Sequence, residues 1–149
     1  MEYVGDKSNS SDSELPATDK YPALKISEFQ SLFNFIGNET EAGILQQAKV
    51  SRIKVHGELK KAISTHNDLT ELSKAQFDDE ESAETLYKQA VFALTASELI
   101  GIQISTDTTA EAAERQEALS NKQQHCNVQY RQAVDLLING EETYYFEMV

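Results

Sequence analysis

Both prolines of the chain, Pro16 and Pro22, sit near its N-terminus, and none occurs from residue 23 to Val149. A proline inside a helix removes a backbone hydrogen bond and clashes with the preceding turn, costing about 3 kcal/mol. The long proline-free stretch, rich in Ala, Leu, Gln, Glu and Lys, is therefore free to form long helices. A polar segment precedes it. A short aromatic one, Thr143-Tyr144-Tyr145-Phe146-Glu147-Met148-Val149, closes the chain. The sequence predicts an all-α fold: a four-helix bundle-like domain over 26–140, with an extended N-terminal tail (1–25) and an extended C-terminal arm (141–149).

A chain of 149 residues makes one domain plus tails, and its 40% hydrophobic share is enough for one core. Cys126 is the lone cysteine, so no internal disulfide forms and nothing suggests an oxidising compartment. No apolar run approaches the roughly 20 residues of a membrane-spanning helix, and the first residues lack the apolar stretch of a signal peptide. The expectation is a soluble protein working where it is made, or in a particle built there. The formal net charge of −12 argues against wrapping nucleic acid by neutralising phosphates. Such acidity serves solubility, or it lines a surface that nucleic acid passes without sticking.

Residues 1–25 lack hydrophobic periodicity and read as unstructured unless something holds them. The stretch Ile26–Gly37 contains Phe29, Leu32, Phe33, Phe35 and Ile36. It fits a short helix capped by Ser27 or an irregular apolar clasp. Asn38 followed by Glu41 resembles a capping box opening a helix over about 39–52. Val55, Leu59, Ala62, Ile63, His66, Leu69, Leu72 and Ala75 recur at threes and fours, predicting an amphipathic helix of about 20 residues. The acidic run beginning at Asp78 then leads into the most apolar stretch, Leu86 to Ile104. Apolar residues all round make this the central helix, and neighbouring chains are expected to help cover it. Thr108 with Glu111 is a second capping box for a last helix to about Asn139, whose stripe is Ala112, Leu119, Cys126, Tyr130, Ala133, Val134 and Leu137. Its first half carries only a thin apolar stripe, and Gly140 is its stop.

Catalytic and metal motifs are absent. His56, His66 and His125 form no His-Glu-x-x-His motif and no i, i+4 pair. His66 reads as a core or half-buried histidine. His125 and Cys126 resemble a nucleophile with its base, but adjacent helical residues point about 100° apart, so Cys126 reads as structural. The glycines form no phosphate-cradling pattern. The run 78–81 lacks the spacing of a calcium loop and suits a helix N-terminus instead. The sequence gives no support to an enzyme, a cofactor or a resident metal.

What remains is interaction chemistry. Lys49, Arg52, Lys54, Lys60 and Lys61 put five of the 13 basic residues into one short stretch. Asp78, Asp79, Glu80 and Glu81 form an opposed acidic run. Between copies packed side by side the two blocks offer a complementary contact; in a monomer they are solvated faces. The terminal segment sets Tyr144, Phe146 and Met148 on one side and Tyr145, Glu147 and Val149 on the other. As an extended arm it adds a strand to a partner's sheet with aromatic anchors, or it folds back on its own bundle.

Leu86-Tyr87-Lys88-Gln89-Ala90-Val91-Phe92-Ala93-Leu94-Thr95-Ala96-Ser97-Glu98-Leu99 resembles the central helix of head completion proteins of contractile-tailed phages. The likeness continues through Tyr130-Arg131-Gln132-Ala133-Val134 and the closing tail, covering about 40–149. Order, lengths and a Tyr-x-x-Ala-Val core carry it. The resemblance implies an adaptor, or head–tail connector, without catalytic activity. Its copies form a dodecameric ring on the portal protein, prolong the DNA channel and present a docking surface to neck or tail-terminator proteins. Tyr144, Tyr145, Phe146, Met148 and Val149 would then reach into the portal, and channel-facing carboxylates would repel passing DNA. The expected location is the phage neck, after assembly in the host cytoplasm. The alternative is a non-catalytic acidic regulator, such as a DNA-mimicking inhibitor; the basic block at 49–61 counts against it.

Overall fold

The computed structural model describes residues 13–33, 39–106 and 112–143. Over these residues the chain is mostly helical, the all-α fold its composition predicts. The order is β1 (Glu14–Leu15), β2 (Leu24–Lys25), α1 (Ile26–Leu32), α2 (Glu41–Ile63), α3 (Leu69–Phe77), α4 (Ser82–Thr106) and α5 (Ala112–Asn139).

α4 is the centre of the bundle. Every residue from Ala90 to Ser97 is buried, as are Tyr87, Leu99 and Ile100. Its most extensive contact is with α5, and α2 and α3 cover other sides. The chain thus encloses this part of its central helix unaided, whereas the apolar excess alone suggested that neighbours would be needed. Each large side chain removed from water here contributes about 1.5–3 kcal/mol before entropy is counted. The pentapeptide Tyr-x-Gln-Ala-Val occurs in both α4 and α5, and in each its Tyr, Ala and Val are buried.

The polar first half of α5 is held in a different way. Ser97 Oγ bonds Asn127 Oδ1 at 2.8 Å, Gln123 Nε2 donates to the Ser97 carbonyl at 3.0 Å, and Gln116 Nε2 donates to the Ile104 carbonyl at 3.2 Å. Side-chain amides therefore replace apolar contacts where the stripe thins. Toward the C-terminus Cys126, Tyr130, Ala133, Val134 and Leu137 take over as core.

The expected 20-residue helix spanning 55–75 is two helices. α2 begins at Glu41, absorbs the segment read as a separate helix, and ends at Ile63; α3 starts at Leu69. Between them Asp68 Oδ1 accepts from Glu71 N at 3.0 Å, a cap that competes with a continuing helix. The three-and-four spacing runs across the break because Val55, Leu59, Ile63, Leu69 and Leu72 join one core. His66 lies in this turn, half-buried. Two other caps differ from expectation. Thr40 Oγ1 accepts from Gly43 N to open α2, with Asn38 outside the described residues. Lys25, not Ser27, caps α1, its backbone N–H donating to Glu28 Oε1. Phe35, Ile36 and Thr108 also fall outside the described residues.

Residues 13–25 correct the reading of 1–25 as a tail. β1 and β2 pair antiparallel, Glu14 opposite Lys25 and Leu15 opposite Leu24, and Leu15, Tyr21 and Leu24 are buried. The bundle itself supplies the hold. Arg52 Nη1 donates to the Pro16 carbonyl at 2.9 Å, Lys20 Nζ to the His66 carbonyl at 2.7 Å, and Leu69 N to the Lys20 carbonyl at 2.9 Å. Composition missed this because three apolar residues among many polar ones carry the docking.

Candidate assembly surfaces

The residues that most resemble catalytic groups are arranged for structure. Cys126 is buried on α5, its thiol pushed up to about 11 by that burial, while the neighbouring His125 is exposed. A thiol held protonated is a poor nucleophile. His56 faces inward, stacked against Tyr21 with ring centroids 3.8 Å apart and hydrogen-bonded to the Tyr87 hydroxyl at 2.7 Å. Among the described residues no three His, Cys, Asp or Glu side chains are grouped to hold a metal ion, and no helix is long and apolar enough to cross a membrane.

The basic stretch lies entirely on α2, and the fold divides it. Arg52 is turned toward residues 13–25, the N-terminal strap, bonding the Pro16 carbonyl. Lys54 pairs with Glu98 of α4 at 3.4 Å. Lys49, Lys60 and Lys61 are exposed and form no ion pair among the described residues. Of the five, only these three are left unengaged by the described residues. Beside Lys49 and Lys60 projects Ile53, 70% exposed, the most exposed large hydrophobic among the described residues.

The acidic run is the turn between α3 and α4, ahead of the helix and not along one side of it. Asp78 adopts the left-handed conformation that ends α3, at φ 63°. Asp79 Oδ1 accepts from Glu81 N at 2.9 Å and Ser82 N at 2.7 Å, and its Oδ2 from Ser82 Oγ at 2.6 Å. It caps the start of α4, and the Ser82 hydrogen bonds hold its carboxyl below the usual carboxylate range. Glu80 lies 3.6 Å from Lys74. Asp78 and Glu81 remain exposed and without ion pairs among the described residues. Asp79 is thus occupied by local structure, and sequence spacing had no means of separating it from its neighbours.

The C-terminal arm candidates, Tyr144, Tyr145, Phe146, Met148 and Val149, lie outside the described residues. Their point of departure is described. Gly140 ends α5 at φ 75°, and the Asp135 carboxylate then accepts from the Thr143 backbone N–H and from Thr143 Oγ1. Asn139 Nδ2 donates to the same carboxylate at 2.7 Å. Asp135 therefore fixes the residue from which the aromatic segment starts. Sequence reading passed over it, since one acid on a buried helix end has no periodic signature; Asn139 and Thr143 at i+4 and i+8 are its only visible trace.

A polar open patch lies on α5, lined by Ser120, Gln123, Gln124, Asn127, Val128 and Arg131. It has no convergent charged groups of the kind that fix a small molecule.

No curated protein and no solved structure matches the chain at a significant level. The family model for "Phage head completion protein (GPL)" does, over residues 17–149. That span includes the strap from shortly after Pro16, all five helices and the aromatic terminus. The role it implies is structural, in assembly of the phage head, in association with other head or tail proteins and with the virion. The chain belongs to the phage head completion protein (GPL) family.

Proposed function

We propose that this chain is the adaptor subunit that joins the filled head to the tail. Its copies form a ring, expected to be dodecameric, on the portal protein. The ring prolongs the DNA channel and offers a docking surface to neck or tail-terminator proteins. The family match over 17–149 carries the reading. The fold is compatible with it: a self-contained bundle from which an aromatic segment departs at a fixed point, Thr143.

Each part has a role in this reading. Tyr144, Tyr145, Phe146, Met148 and Val149 engage the portal as an added strand with aromatic anchors. The basic residues of α2 meet the acidic turn before α4 on a neighbouring copy. The net charge of −12 keeps DNA phosphates from adhering as the genome passes, with carboxylates of α4 or α5 facing the channel. No step requires a cofactor, a metal or catalysis. The neck of the virion is its final location.

The deciding experiment is sedimentation of the purified chain, alone and mixed with the portal ring of the same phage. The expected result is one larger complex of fixed stoichiometry. Removal of 143–149 should leave the helical content intact and abolish that complex. A chain that ignores the portal would sink the adaptor reading. A truncated chain that still binds would sink the role of the arm.

A further inference from the structure

The outward face of α2 is unlike the rest of this acidic molecule. Ala42, Gln46, Lys49, Ile53, Gly57 and Lys60 fall within a narrow sector of the helix, all of them exposed and none acidic. Ile53 stands 70% exposed at its middle. One turn on, a Cβ at Gly57 would meet nothing within 4 Å, so the backbone there is open to close approach. The opposite side of the helix is already spent on the core, through Ile44, Ala48, Val55 and Leu59.

A complementary surface exists on the same chain. Thr18–Pro22, the start of α3 and the start of α4 enclose a groove of about 190 Å³ whose charged lining includes Asp19, Asp68, Glu80 and Glu84. The ammonium of Lys20, the basic residue in that lining, is bonded to the His66 carbonyl. Lys74 and Lys88 pair with Glu80 and Glu84; Asp19 and Asp68 have no ion pair among the described residues, Asp68 keeping Oδ2 for a partner while Oδ1 caps α3.

We infer that the Ile53 face of α2 docks against the carboxylate-lined groove of a second copy of this chain, Ile53 supplying the apolar anchor and Lys49 and Lys60 the register. The inference rests on the adaptor reading and names the contact between its subunits. Charge complementarity selects the occupant: Lys49 and Lys60, with Lys61 at the edge, flank the apolar anchor on one surface, and Asp19 and Asp68, without ion pairs among the described residues, line the other. On the adaptor reading each copy offers its α2 face to one neighbour and its groove to the other, a head-to-tail contact of the kind that closes into a ring when its rotation divides the circle. A lone exposed isoleucine is ordinary on a protein surface; here its setting gives it a partner.

The test uses heads lacking the chain, completed in vitro with an equal mixture of isotope-labelled and unlabelled full-length protein. A carbodiimide then couples touching lysines and carboxylates without a spacer. The expected result is labelled-to-unlabelled peptides joining Lys49, Lys60 or Lys61 to Asp19, Asp68 or Glu80. Ile53→Glu, at a position too exposed to disturb folding, should lower the copies bound per head by about tenfold or more with unchanged circular dichroism. Copies present on heads but cross-linked elsewhere, or Ile53→Glu incorporated as well as wild type, would overturn this contact and leave the adaptor reading standing. A chain that does not join heads at all would overturn both.

Discussion

His56 Nε2 and the Tyr87 hydroxyl lie 2.7 Å apart, joining the outer helix α2 to the central helix α4 by one hydrogen bond. Tyr21 lies against the same imidazole, its ring inclined by 14°, and also stacks near Tyr87 at 4.8 Å. The three rings clamp the N-terminal strap onto the bundle. The Tyr21 hydroxyl is buried without a hydrogen-bond partner among the described residues, so this ring holds by contact and area, beside the Arg52, Lys20 and Leu69 hydrogen bonds along the same segment.

Burial, with a smaller contribution from the charge of Arg52, lowers the His56 pKa from its ordinary 6.5 to about 4. Above pH 6.5 the ring is neutral in both folded and unfolded chains, and its contribution is complete. Between 6.5 and about 4 the unfolded chain binds a proton that the folded chain refuses, so stability falls as pH falls. Urea midpoints measured across that range should decline, and His56→Phe, which keeps the stack but not the titration, should decline less. Equal slopes in the two proteins would remove His56 as a cause.

Tyr21→Ala should release the strap and leave the helices. The expected cost is about 3 kcal/mol, the size of a large aromatic truncation. Limited trypsin digestion should then cut after Lys20 and Lys25 well before the helical core is attacked. A digestion pattern unchanged from wild type would mean the strap does not depend on the ring stack.

Val91→Asp places a carboxylate at a fully buried position of α4 with no cation to receive it. The expected loss is about 4 kcal/mol or more, enough to leave little folded protein. Leu94→Asp should act in the same direction. Far-ultraviolet circular dichroism of either purified variant gives the answer, native helicity being the contrary result.

Gly140→Ala meets two obstacles. The backbone is in the left-handed region, and the new Cβ would stand 2.9 Å from Gln76 Oε1. Gln76 Nε2 bonds the carbonyls of Leu137 and Ile138, so its side chain is not free to move aside. A loss of about 1–2 kcal/mol is expected, read from the urea midpoint.

Cys126 should react with iodoacetamide at pH 8 about a hundredfold more slowly than a free thiol, through burial and its raised pKa. Denaturant should restore the ordinary rate. Fast labelling of the native protein would show that α5 opens at its middle.

Long periodic elements were legible in the sequence: α4 from its continuous apolar content, the later half of α5 from the Cys126–Leu137 stripe, and the helix stop at Gly140. Breaks were not. Val55 to Leu72 keeps helical spacing across the Ser64–Asp68 turn because both pieces face one core, so periodicity carries no mark of the interruption. The strap was lost for the converse reason, since Leu15, Tyr21 and Leu24 are too few to form a pattern. The charged surface was half legible. Its two blocks stand out in the sequence, but Arg52, Lys54 and Asp79 are engaged within the fold, and only geometry separates them from Lys49, Lys60 and Lys61.

The enclosure of α4 by its own chain has a consequence for timing. A subunit whose hydrophobic interior is complete before it meets anything can be made early, accumulate and wait. Among the described residues the stretch Ala90–Ser97 leaves no open core seam to drive premature polymerisation. On the proposed adaptor reading, the order of construction is then governed by when a docking site appears on the growing particle, not by when this protein becomes able to fold.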